Sequence, residues 1–194
     1  MQNQKPLFIE DQEGNRLHYH FTPAALISNF VPLVVILDDA LKDKVLHFEY
    51  KMWNVLTIVL EDPSQGQRDQ NVIQNLIAEI CEGYECEEHL YLYGRGKYGV
   101  CAIIQGIISD ANALYTEKLE PSLSDKRLLE VLNDKHSYPI VYLSEEDEKT
   151  EGFDLLNQHD GIKVHLRSPE AFDDEVNQLK ATLNFFERMI SQPS

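Results

Sequence analysis

Apolar residues fall into two patterns along this chain. Residues 31–37 (VPLVVIL), 55–60 (VLTIVL), 90–93 (LYLY), 113–116 (ALYT) and 139–143 (PIVYL) are short, nearly unbroken apolar runs bounded by polar or glycine-containing stretches. Runs of that length without alternation predict strands covered on both faces, as in a parallel sheet. Residues 162–166 (IKVHL) predict one more strand. Between them the period changes. Val72, Ile73, Leu76, Ile77 and Ile80 share one face of a helix predicted over 71–84, and 100–108 is apolar enough for a buried helix. A helix is predicted over 124–135, with Ser124 as its cap. Residues 5–12 and 16–21 flank Glu13-Gly14-Asn15 and predict a hairpin.

The last helix has the clearest start. Ser168 can cap it, Pro169 suits its first position, and Glu170, Asp173 and Asp174 complement the positive end of its dipole. Phe172, Val176, Leu179, Leu183, Phe186 and Ile190 recur at spacings of four and three. The stripe they form is expected to dock on the chain's own sheet rather than on a partner. A hairpin followed by alternating strands and helices predicts an α/β fold, a mostly parallel, doubly wound sheet with an N-terminal antiparallel hairpin.

The length, 194 residues, suits a single domain over 1–194, and 43% hydrophobic with 26% charged residues is ordinary for a globular protein. The net charge of −16 changes the picture of partners. Nucleic acid and anionic membranes both require a Lys/Arg surface, so neither is expected. The N-terminus MQNQKPLF has no apolar signal region, and no run reaches the roughly 18 apolar residues of a membrane span, so the cytoplasm is the expected location. Cys81, Cys86 and Cys101 include no CxxC pair. Cys101 reads as a core residue. The other two flank a turn and lack the histidines of a zinc site. His18 and His20, two apart on one strand, form a minimal pair, and no metal is expected.

Candidate chemistry concentrates at residues 90–104, LYLYGRGKYGVCAII. A strand, the glycine turn Gly94–Gly99 and a helix form the setting of a nucleophile elbow, in which a serine stands between glycines as G-x-S-x-G. Here the serine position is Gly96. The same letters spell G-x-G-x-x-G, the dinucleotide fingerprint, with Arg95 and Lys97 as added positive charge and Glu117 where a ribose-binding carboxylate would lie. That fingerprint normally opens its sheet, whereas at least two strands and a helix precede it here. Phosphate or another small anion fits the turn better than a dinucleotide.

Together these pieces resemble the α/β-hydrolase family over roughly residues 8–190. Glu13-Gly14-Asn15-Arg16-Leu17-His18-Tyr19 is similar to that family's first hairpin. Val34-Val35-Ile36-Leu37 is similar to the strand that leads to its oxyanion hole, 55–63 with Gly66 to the next strand and loop, and Gly94–Gly99 to its elbow. The resemblance implies a catalytic acid after PIVYL, where Glu145, Glu146 and Asp147 stand, and a histidine after IKVHL. Each catalytic position departs from the pattern. The serine is Gly96, the second elbow glycine is Tyr98, and the His-Gly of the oxyanion strand is Asp38-Asp39, whose charges oppose an oxyanion. Residues 167–178 contain no histidine. His165 lies inside its strand and reads as structural.

A relay of nucleophile, base and acid is therefore incomplete. The sequence reads as an α/β-hydrolase-like domain with little or no lid, without catalysis or cofactor, acting on an unknown protein or a small-molecule anion, and open to homo-oligomer formation. Its vestigial or anion-binding site comprises Asp38, Asp39, Gly94, Arg95, Gly96 and Lys97. Two alternatives remain. One is an esterase-like enzyme with a displaced nucleophile, Ser64 or Ser144. The other is an anion- or nucleotide-binding protein using the GRGKYG turn.

Overall fold

The computed structural model describes residues 7–26, 31–38, 52–86, 88–120, 125–168 and 174–191. The hairpin forms as β1 (Leu7–Glu10) and β2 (Arg16–Thr22), turned by Gly14 at φ 82° and by Asp11, whose carboxylate accepts from the Glu13 and Asn15 amides. β3 (Leu33–Leu37) and β4 (Asn54–Val59) follow, then α1 (Pro63–Arg68), α2 (Gln70–Tyr84), β5 (Leu90–Arg95) and α3 (Gly99–Ile108). The chain continues through β6 (Ala113–Glu117), α4 (Asp125–Asp134), β7 (Ile140–Ser144), α5 (Glu151–Asn157), β8 (Lys163–Arg167) and α6 (Glu175–Ile190). The eight strands make one sheet in the order β1-β2-β4-β3-β5-β6-β7-β8. The pairs β1–β2 and β2–β4 are antiparallel and all others parallel.

Alternation sends successive strand residues to opposite faces. Leu33, Val35, Leu56, Leu92, Leu114 and Val141 pack in one cluster with Ile73 and Ile77 of α2, Ile103 and Ile107 of α3 and Leu128 and Leu132 of α4. Val34, Ile36, Val55, Tyr91, Tyr93 and Tyr115 pack in a second with Val176, Leu179, Leu183 and Phe186 of α6. The α6 stripe docks on its own sheet, as its spacing predicts. Trp53 fastens it further, donating from Nε1 to Glu187 Oε1 at 2.8 Å and meeting the Tyr91 ring edge-on at 5.5 Å.

Several details differ from the sequence reading. α1 and α5 are additional helices. The cap of α6 is Asp174, whose carboxylate accepts from the Val176 amide at 3.1 Å, rather than Ser168. The stripe runs out at Ile190, 38% exposed. Asp39, Ser124, Pro169, Glu170, Phe172 and Asp173 lie outside the described residues. Among the described residues no helix is long and apolar enough to cross a membrane.

Candidate functional site

In open α/β sheets ligands bind beyond the carboxyl ends of the strands. At that edge the register pairs Leu37 with Gly94, Arg95 with Glu117, and Ser144 with Arg167. A row of polar residues therefore closes the strands: Asp38 after β3, Arg95 on β5, Glu117 on β6, Ser144 on β7 and Arg167 on β8.

β5 runs through Gly94 and Arg95, so the sharp reversal is made by Gly96 alone, with φ 58°, followed by one 3₁₀ turn at Gly96–Tyr98 and then α3. That left-handed conformation favours glycine. Gly94 is fixed by contact, since a Cβ there would collide with Ala102 Cβ of α3. Tyr98, at the second-glycine position, is buried and donates from its hydroxyl to the Leu60 carbonyl at 3.2 Å. The Lys97 ammonium lies 4.9 Å from the Tyr98 ring centroid.

The turn is partly covered, and Gly96 itself is half-buried. Glu120 donates its amide to the Gly96 carbonyl at 3.5 Å. A Cβ on Gly96 would stand 3.7 Å from Glu120 Oε1 and 4.0 Å from the Lys118 carbonyl. Leu119 projects into the space that Gly99 leaves, where a Cβ would meet Leu119 Cδ2. Beside this covering segment lies a cavity of about 210 Å³, between Val100 of α3, Leu119 and Glu120, and residues 149–152 at the start of α5.

Arg95 does not face the turn. It lies in the polar row, 19% exposed, with Nε 3.5 Å from Glu117 Oε1. Glu117 is 4% exposed and also accepts from Tyr93 Oη at 2.7 Å, Tyr115 Oη at 3.4 Å and Gln178 Nε2 of α6 at 3.1 Å. Burial, then the Glu117 charge, pushes the Tyr93 and Tyr115 phenols well above their ordinary value, so both stay protonated donors. Glu117 thus belongs to the core rather than to a ribose site. Asp38 is buried close enough for its charge to act on Tyr93. The Arg167 guanidinium stacks on the rings of Tyr115 and Phe185 at 5.1 and 4.5 Å. The five-residue cluster around Glu117 escaped the sequence reading. Its visible signal is a tyrosine inside each of two neighbouring apolar runs, Tyr93 on β5 and Tyr115 on β6.

In the acid loop Glu145 and Glu146 are exposed and Asp147 is 2% exposed. Asp147 Oδ1 accepts from the Leu119 amide at 2.8 Å, and Oδ2 is buried with no hydrogen-bond partner among the described residues. Desolvation raises its carboxyl above the usual carboxylate range, the Leu119 N–H opposes this, and the Glu117 and Glu146 charges reinforce it. Ser144 is buried and accepts from the Glu146 amide at 3.3 Å. Ser64 lies in α1, not in a loop, and donates to Asp62 Oδ1. Neither hydroxyl is bonded to a histidine among the described residues. His165 is exposed on β8 and stacks on Tyr142 at 5.3 Å. Cys81, Cys86 and Cys101 are buried, with Cys101 Sγ 3.6 Å from the Pro63 carbonyl. Among the described residues no three His, Cys, Asp or Glu side chains converge on one point.

Superposition on solved structures decides the architecture. Enterochelin esterase from Shigella flexneri superposes with a TM-score of 0.65 at 11% identity, over 97% of this chain and 59% of its own. S-formylglutathione hydrolase from Staphylococcus aureus gives 0.64 at 8% identity, over 96% of both chains. The chain has the α/β-hydrolase fold. An α/β serine hydrolase without a lid from Xanthomonas campestris gives 0.59 at 12% identity, over 98% of this chain and 96% of its own. A chain of the glycosylation-associated Gap123 complex of Streptococcus agalactiae gives 0.61 at 12%, over 96% of this chain. This chain spans about half the length of that protein, 46%, and 59% of the enterochelin esterase. No family model and no curated protein matches it by sequence. At these identities the likeness is one of fold.

Proposed function

We propose that this is a non-catalytic α/β-hydrolase-fold protein, a single domain acting by binding a partner protein or small ligand at the carboxyl edge of its sheet. The observation that carries this is Gly96: it holds the left-handed backbone of an elbow nucleophile, has no side chain, and lies under Lys118–Glu120. Acyl transfer also needs a base and a preformed site for negative charge. The stretch after β8 holds no histidine, a carboxylate, Asp38, follows β3, and the Glu120 carboxylate lies beside the Gly96 turn, charges that disfavour an oxyanion. One fold neighbour, of the Gap123 complex, is part of a protein assembly, in keeping with a partner-binding role for this chain.

The expected result is no hydrolysis of p-nitrophenyl acetate above a control of equal His and Lys content, and no labelling by a fluorophosphonate. Gly96→Ser should stay inactive and lose about 1–3 kcal/mol in urea unfolding, because the introduced Cβ must occupy φ 58°. Stoichiometric labelling at a serine of the wild-type chain, or clear turnover by Gly96→Ser, overturns the reading.

A further inference from the structure

Among the described residues, the Asp147 carboxylate that follows β7 is hydrogen-bonded to no histidine. Asp147 Oδ1 instead accepts from the amide of Leu119, on the segment that covers the elbow. We propose that Asp147 is a latch that holds residues 118–120 closed over Gly96, and that release of this segment joins the Gly96 turn to the neighbouring cavity as one binding site. The inference rests on the binding reading of the elbow.

Three attachments hold the segment shut. The first is the Leu119–Asp147 hydrogen bond at 2.8 Å, the second Leu119 seated against Gly99, and the third the Glu120 amide on the Gly96 carbonyl at 3.5 Å. The third is at the long limit of a hydrogen bond. Two features oppose closure. Lys118 adopts φ 53°, a strained conformation for a residue with a Cβ. Asp147 Oδ2 is buried without a hydrogen-bond partner among the described residues, so the closed state leaves half of a carboxylate desolvated and unsatisfied. A closed form held to Asp147 by the Leu119 N–H, with the Lys118 N–H beside it, against strain and an unmet acceptor is the kind of element a ligand can displace. Leu119 and Glu120 both cover the elbow and line the 210 Å³ cavity, so their movement is what would merge the two spaces.

A thiol at the elbow reports this opening directly. The three native cysteines are buried, so Gly96→Cys introduces the one reactive probe among the described residues. In an otherwise unchanged chain its maleimide labelling should be at least tenfold slower than in urea. Adding Asp147→Ala should speed it at least tenfold, and Asp147→Asn, whose amide oxygen still accepts from Leu119 N–H, should restore slow labelling. Hydrogen exchange on Asp147→Ala with native Gly96 supplies a second readout free of strain at the elbow. The Leu119 and Glu120 amides should lose protection while Leu114 and Tyr115 of β6 keep theirs. Fast labelling in the parent, no change with Asp147→Ala, or equal loss of protection in β6 overturns the latch. None of these readouts depends on enzymatic turnover, so the latch can fail while the non-catalytic reading stands, and the reverse.

Discussion

A methyl group at Gly94 would run into Ala102 Cβ, an atom fixed to the backbone of α3, whereas one at Gly99 would clash with Cδ2, the far end of the Leu119 side chain. The two glycines belong to one turn and look alike in sequence, yet their environments differ in how far they can yield. Gly94→Ala must push a helix off a strand and should cost about 3 kcal/mol or more, the upper end of overpacking. Gly99→Ala requires a rotamer change at Leu119 and should cost about 1 kcal/mol. Urea unfolding of the two variants checks the ranking, and equal losses would mean that α3 is free to shift. The sequence marks both glycines as special but not which neighbour makes them so. The same limit applies to Arg95. Its place in a glycine turn suggests an anion ligand, but the strand continues two residues further than the apolar run implies, and its side chain then meets Glu117.

Buried parallel strands are legible because both faces are covered and every residue in the run is apolar. β3, β4, β5, β6 and β7 all lie within about a residue or two of their apolar runs. α1 and α5, six and seven residues long, are not legible, because neither completes two turns of an apolar stripe. Their signals are the caps, Asp62 and Thr150, which accept from the Gln65 and Phe153 amides. The start of α6 was misplaced for a related reason. Ser168 and Asp174 are both competent caps, and local chemistry does not choose between them. The docked stripe of α6 is independent of that choice. Phe186 is fully buried against Trp53, Tyr91 and Phe185, while Ile190 is exposed at the end of the same stripe. Phe186→Ala should therefore cost about 3–5 kcal/mol, and Ile190→Ala less than about 1 kcal/mol. Chemical denaturation with unchanged m-values is the measurement. A large loss from Ile190→Ala would mean that the exposed end of α6 is covered in solution.

Across the whole molecule the −16 charge is visible in the sequence, but which carboxylates couple to folding is set by the sheet order, which brings Glu117 and Asp147 together from positions 30 apart. Asp11 and Asp62 titrate below their ordinary value, Asp11 chiefly through the Asn15 side chain and Asp62 through Ser64. Groups of that kind favour folding above pH 3.8 and lose the contribution as pH falls through their lowered values. Asp147 has the opposite sign. Desolvation, with the charges of Glu117 and Glu146 behind it, raises its value above 3.8 against the opposing Leu119 and Lys118 N–H groups. In the window above 3.8 the folded chain then holds a proton at this site that the unfolded chain has lost, so this site's contribution to stability falls as pH rises through that window. Asp147→Asn removes the titration while keeping the acceptor for Leu119. The informative quantity is the stability of the wild-type chain minus that of Asp147→Asn, in which the other carboxylates cancel. That difference should favour the wild-type chain more at pH 3.5 than at pH 7, with the change lying above 3.8. A flat difference would show that Asp147 titrates alike in both states. A slope of the opposite sign would show that the Leu119 and Lys118 amides outweigh desolvation, and that the latch is strongest when Asp147 is charged.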